Sequence, residues 1–233
     1  MKVALILSGF LRSFDENYAS LKANLLDIHD TDIYIATWNV NEPQYKSFDI
    51  NEVTKLYGNN LKGLCVKDYN LYEEFKRRMV VFDSGNNPIE TVNKEKVATN
   101  KCILEHGTYW IERLRDQWLM VNTAYNEIIV PEHYDIIVKS RFDISYNQPF
   151  TFNHTGFTIP ENQYHGYTDH LAYGSPYVMK KYCQLYNNIL NLYQLHKIDI
   201  SFAEGMLRYY MENYDEAIQT NFLPQGFYEL NKK

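Results

Sequence analysis

The sequence predicts an α/β fold with a Rossmann-type, mainly parallel sheet flanked by helices, and three observations carry that expectation. Short β-branched and aliphatic runs alternate with stretches of helical spacing along the chain. The first run, Val3–Leu7, is apolar without alternation, as in a strand buried on both faces. The chain has 233 residues, 45% hydrophobic and 22% charged, enough apolar material to bury a sizeable core.

Taken in order, Val3–Leu7 ends at Ser8-Gly9, a strand followed by a turn. Asp15 stands at an N-cap position for a helix reaching Leu26 through Leu21 and Leu25. Asp32–Trp38 reads as a second strand, Ile50–Tyr57 as a short helix and Leu61–Tyr69 as a third strand. Asn70 is a good cap for a charged helix Leu71–Arg78. Met79–Thr99, with Gly85, Asn86, Asn87 and Pro88, has no clean period and reads as a loop or lid. A long apolar stripe then runs from Ile103 to Ile128 and stops before Pro131; Trp110 and Trp118 within it read as core. Tyr134–Ser140 is the next strand, and Pro149–Pro160 a short β excursion. Asp169–Gly174 is a strand end, Pro176 opens a helix to about Leu195, and Ser201 or Asp199 caps a last helix, Phe202–Tyr214. No repeat or linker divides the chain, so a single domain is the simplest account.

Composition excludes several functions. A net charge of -6 argues against non-specific nucleic-acid binding. Cys65, Cys102 and Cys183 form no CxxC pair, so neither a zinc knuckle nor a disulfide framework is expected. The N-terminal apolar run is too short for a leader, no run is long enough to span a bilayer, and a cytoplasmic location is expected. The 21 tyrosines suit a surface that stacks on sugars or bases, but AT-rich codon usage accounts for them without any such surface.

Ligands of open α/β sheets bind beyond the carboxyl ends of strands, at the point where strand order reverses. That rule selects Ser8–Phe14, Trp38–Asn39 and Lys139–Asp143. Ser8-Gly9-Phe10-Leu11-Arg12 offers a close-approach glycine and a phosphate-gripping arginine, yet it is neither GxGxxG nor a Walker loop. Lys139-Ser140-Arg141-Phe142-Asp143 ends an apolar strand in two cations and a carboxylate. A structural ion pair is the plain explanation; an anion site with Asp143 on a metal or a ribose hydroxyl is the functional one.

Across nearly the whole chain, five motifs in order resemble a group of bacterial and giant-virus glycosyltransferases that build surface polysaccharides. They are Leu7-Ser8-Gly9-Phe10-Leu11-Arg12, Thr37-Trp38, Tyr134–Asp143, Asp169–Ser175 and Ala203-Glu204. The resemblance implies a GT-A-like fold, with 1–143 as the nucleotide-sugar-binding half and 144–233 as the acceptor-binding half. It implies a nucleotide-sugar donor, a glycan or glycolipid acceptor, and a divalent metal, Mn or Mg. Such folds usually end the middle strand in Asp-x-Asp; this chain has Arg141-Phe142-Asp143. Either Asp143 holds the metal alone, or Arg141 and Lys139 replace part of its charge.

On that reading Ser8, Gly9, Arg12, Trp38, Lys139, Arg141 and Asp143 bind the nucleotide sugar. Charge developing on the leaving diphosphate calls for cations or a metal. An inverting enzyme also needs a general base, for which Asp169, His170 and Glu204 are the candidates. Two alternatives stand beside it: transfer of another phosphate-linked group to a polysaccharide, and non-catalytic carbohydrate binding.

Overall fold

The computed structural model describes residues 1–41, 47–72, 109–128, 130–152, 156–160, 166–196, 203–213 and 218–231. The expected loop 79–99, the first turns of the long helical stripe, Cys102, and the proposed caps Asp199 and Ser201 lie outside the described residues.

Nine strands are described: β1 (Lys2–Gly9), β2 (Asp30–Trp38), β3 (Leu61–Lys67), β4 (Ile136–Ser140), β5 (Ile144–Tyr146), β6 (Phe157–Pro160), β7 (Leu171–Gly174), β8 (Thr220–Leu223) and β9 (Tyr228–Leu230). Seven form one sheet in the order β3-β2-β1-β4-β7-β6-β8. The β3-β2-β1-β4 block is parallel, β7 runs antiparallel to both neighbours, and β8 is parallel to β6, so β7 alone is reversed. The expected class, α/β with a mainly parallel sheet flanked by helices, is the one observed. The sheet takes strands from both sides of residue 143.

Both faces of the sheet are covered, which explains the unbroken apolar run of β1. Val3, Leu5 and Leu7 point to one face, with Val138, α1 (Phe14–Leu21) and α2 (Ile50–Tyr57). Ala4 and Ile6 point to the other, with α3 (Tyr109–Asn126), α4 (Pro176–Cys183), α5 (Leu185–His196) and α6 (Ala203–Asn213). Trp118 is fully buried in that second layer, as its helical spacing predicts. The short antiparallel ribbon β5-β9 lies on the α1 side.

Several local expectations are corrected. α1 begins after Ser13, and Asp15 sits exposed inside its first turn rather than at the cap. Asp68, not Asn70, caps the turn that follows β3: its carboxylate accepts the Leu71 N–H at 3.0 Å, and the helix has already begun at Tyr69. The helix from Pro176 does not run unbroken to Leu195, because Gln184 leaves helical geometry (φ -85, ψ 1) and separates α4 from α5. Of the excursion Pro149–Pro160, the described strand is Phe157–Pro160. β5, β8 and β9, three or four residues each, were not expected; strands that short show too few alternations to read.

Candidate active site

The chain builds β1, β2 and β3 outward to one side and then returns to place β4 on the other side of β1, so the strand order reverses between β1 and β4. Gly9–Arg12 leaves the end of β1 at this switch point, and Arg141–Asp143 leaves the end of β4 beside it, since Leu7 pairs with Ser140. Because β7 is antiparallel to β4, its first residues arrive at the same edge, Leu171 opposite Ser140. Asp169 and His170 form the turn just before it.

At the centre is Asp143, with its side chain only 2% exposed. Arg141 grips it with two bonds, Nε to Oδ1 at 2.8 Å and Nη2 to Oδ2 at 2.5 Å. From across the switch point Arg12 Nη1 donates to the same Oδ2 at 2.6 Å. Burial alone would raise the Asp143 carboxyl, but the guanidiniums of Arg141 and Arg12 outweigh it and hold it below the usual carboxylate range. One carboxylate thus sits between two guanidiniums. Both guanidiniums keep part of their surface in solvent, at 21% and 23% side-chain exposure.

The backbone holds these groups firmly. Gly9 has φ +106 and Arg12 φ +48, both in the left-handed region that costs an L side chain roughly 1–2 kcal/mol. Asn41 holds the strained residue from both ends: the Arg12 N–H donates to Oδ1 at 3.0 Å, and Nδ2 donates to the Arg12 carbonyl at 3.4 Å. Among the described residues a Cβ at Gly9 would meet nothing within 4 Å. The Phe142 carbonyl accepts from Asn17 Nδ2 at 3.0 Å, and the Asp143 carbonyl accepts the Asn231 N–H at 2.9 Å.

Around this centre the other candidates take different positions. His170 Nδ1 and the Tyr228 hydroxyl are hydrogen-bonded at 3.1 Å, and His170 Nε2 lies 3.9 Å from Asp169 Oδ1. Burial, with the charges of Arg141 and Lys139 working against Asp169, lowers the imidazole to about 4, so it is neutral near pH 7. Burial and then Asp169 push Tyr228 up to about 12. Glu204, in the first turn of α6, is raised by burial and by Asp169. Its backbone carbonyl accepts the Tyr167 N–H at 2.9 Å.

Two residues expected to meet a ligand lie beneath the site instead. Lys139 is 1% exposed, points into the α3–α4 layer, and donates its ammonium to the Asp169 carbonyl. Burial lowers it to about 8, against the opposing pull of Asp169. Trp38 is also 1% exposed, stacked on Tyr72 with ring centres 4.9 Å apart and edge-on to Tyr69 at 5.3 Å. Ser8 is buried on the same sheet edge. So Arg12, Arg141, Asp143, Asp169 and His170 converge at the mouth, with Glu204 close enough for Asp169 to act on it.

Asn41, Asn17 and Tyr228 belong to the site and carried no sequence signal of their own. The bonds that tie them to Arg12, Phe142 and His170 cross 29 to 125 residues of chain.

The donor set does not fit the divalent ion that a GT-A resemblance implies. Both oxygens of Asp143 already accept from guanidiniums, and a dication on either would sit against two positive charges. Among the described residues, no three His, Cys, Asp or Glu side chains stand together as a metal site.

No family model and no curated protein matches the chain. Among solved structures, that of mouse xyloside xylosyltransferase 1 in its apo form matches over 96% of this chain and 85% of that one, at 10% identity and a TM-score of 0.42. A likeness that slight says nothing about activity. Among the described residues no helix is long and apolar enough to cross a membrane.

Proposed function

We propose that the chain is a glycosyltransferase that moves a sugar from a nucleotide-sugar donor to a glycan or lipid-linked acceptor, on a GT-A-like scaffold. One observation carries the reading. Two arginines from opposite sides of the topological switch point converge on one carboxylate at the open carboxyl edge of a parallel sheet. That is where α/β sheets bind nucleotides, and two guanidiniums side by side suit a diphosphate.

In the transfer, the bond from the anomeric carbon to the donor phosphate oxygen breaks, and its electron pair stays on that oxygen. Arg12 and Arg141 stabilise the charge as it develops. The acceptor hydroxyl oxygen bonds to the anomeric carbon, and its proton passes to a base. Asp169 fits that role best. It stands at the mouth beside a neutral His170, and Lys139 fixes its backbone from below. Surface-polysaccharide synthesis in the cytoplasm is the setting proposed for this reaction, on the motif resemblance. Residues 144–233 are proposed to hold the acceptor.

A panel of nucleotide sugars tested by thermal shift identifies the donor, because a specific ligand raises the melting temperature by mass action. Asp143→Ala and Arg12→Ala are expected to abolish transfer with far-UV circular dichroism unchanged. Full turnover in both variants rejects the site. Glycan binding that ignores every nucleotide favours a non-catalytic carbohydrate-binding protein instead.

A further inference from the structure

We propose that this site grips the donor diphosphate without a divalent metal, Arg12 and Arg141 supplying the positive charge and Asp143 acting as the strut that aims them. The inference rests on the nucleotide-sugar reading and names how that site holds its ligand.

Three features of the geometry carry it. First, three of the four lone-pair positions of the Asp143 carboxylate are taken by cationic donors: Oδ1 accepts from Arg141 Nε, and Oδ2 accepts from Arg141 Nη2 and Arg12 Nη1. Second, a divalent ion held by one carboxylate needs water or phosphate oxygens to complete a shell of about six. Asp143 is 2% exposed, so its oxygens have almost no surface open to such waters. Third, the arginines are built as a fixed pair. Arg12 is held in a left-handed conformation by Asn41, while Arg141 leaves a strand end whose turn is tied down through the Phe142 and Asp143 carbonyls.

The chemistry of the pair matches a diphosphate. Guanidinium is planar, always charged, and binds phosphate oxygens in twos. In the free protein the carboxylate occupies the space between the guanidiniums and keeps them from swinging apart. An incoming diphosphate carries more charge than one carboxylate and takes the solvent-facing edges of both arginines, with Asp143 remaining behind them. Preorganisation of this kind does the work that a metal does by coordination.

Calorimetric titration with UDP and GDP, each in EDTA and in Mn²⁺, tests the idea. The preferred nucleotide is expected to bind in EDTA within about threefold of its affinity in Mn²⁺, and Arg12→Ala and Arg141→Ala are each expected to weaken it at least about tenfold. Asp143→Asn, with one acceptor oxygen in place of two, loosens the arginine pair and is expected to weaken binding by the same factor in EDTA and in Mn²⁺. Loss of a metal ligand would weaken it in Mn²⁺ alone. Binding that appears only with Mn²⁺ and disappears in Asp143→Asn overturns the inference and leaves the nucleotide reading intact. Absence of UDP and GDP binding under every condition overturns that reading, and the inference with it.

Discussion

Replacing Lys139 by methionine should remove a stability gain that the wild-type protein makes on going from neutral to alkaline pH. Lys139 is 1% exposed and lowered from 10.5 to about 8, chiefly by burial. Between those two values the unfolded chain binds the proton and the folded protein does not, so stability rises with pH across that window. Below about pH 8 both states are protonated and the buried charge exerts its full cost. A gap of about 2.5 at about 1.36 kcal/mol per unit makes that cost about 3 kcal/mol. Between about pH 7.5 and 9.5 roughly 2 kcal/mol of it should be relieved. Other groups titrate in the opposite sense: burial raises the Cys183 thiol and the Tyr182 hydroxyl, so both favour unfolding at high pH. The readout is therefore the difference between wild type and Lys139→Met, from urea unfolding at each pH, which removes the Tyr182 contribution and the part of the Cys183 contribution that does not depend on Lys139. The lost bond to the Asp169 carbonyl shifts the whole difference by a constant and leaves its slope untouched. Parallel stability curves for the two proteins would refute the buried, depressed ammonium.

Three further outcomes are expected. Gly166→Ala brings a Cβ to 2.2 Å and 2.5 Å from the Glu204 backbone, and moving the start of α6 should cost about 1–3 kcal/mol in a denaturant titration. Tyr228→Phe deletes the hydroxyl bonded to His170 and should lower kcat about three- to tenfold with the melting temperature nearly unchanged, because one neutral hydrogen bond is worth roughly 0.5–1.5 kcal/mol. Asp143 is depressed in the folded state, so it stabilises at pH values above its unfolded value of about 3.9 and loses that contribution as pH falls through the folded one. The margin by which wild type exceeds Asp143→Asn in stability near neutral pH should therefore shrink in acid unfolding.

The parts of the fold that sequence made legible are those with a strong period or a local cap. Val3–Leu7 and Ile50–Tyr57 lie where apolar spacing put them, and Trp118 faces the core its helical stripe implied. The strand-end rule also selected Arg12 and Asp143, although 131 residues separate them, because it needs only the strands and not their contacts. It could not say which cation meets which acid. Lys139 shows why. Two residues from Arg141, it would share its face in a continuing strand, but β4 ends at Ser140 and Arg141 leads into the turn at Phe142 and Asp143. The period of two that governs a strand stops with its hydrogen bonds, so Lys139 enters the α3–α4 layer and Arg141 reaches the mouth. Tyr228 was hidden for a related reason: it stands on a three-residue strand whose partner, β5, is equally short.

The turn itself explains how charged residues that would repel a buried strand end can be tolerated there. Phe142 is 3% exposed and anchors the turn in the core on the α1 side. Its carbonyl is held by Asn17, and the next carbonyl by Asn231. With the apolar residue fixed inward, its two neighbours must both face the mouth, and they neutralise each other at bonding distance. That pairing lowers the cost of bringing Asp143 out of water. It also sets any cation approaching Asp143 against the Arg141 guanidinium. The three residues that make the strand end stable thus leave Asp143 within reach of Arg12 across the switch point, and Arg12 makes that pair from a backbone conformation that costs energy and that Asn41 braces.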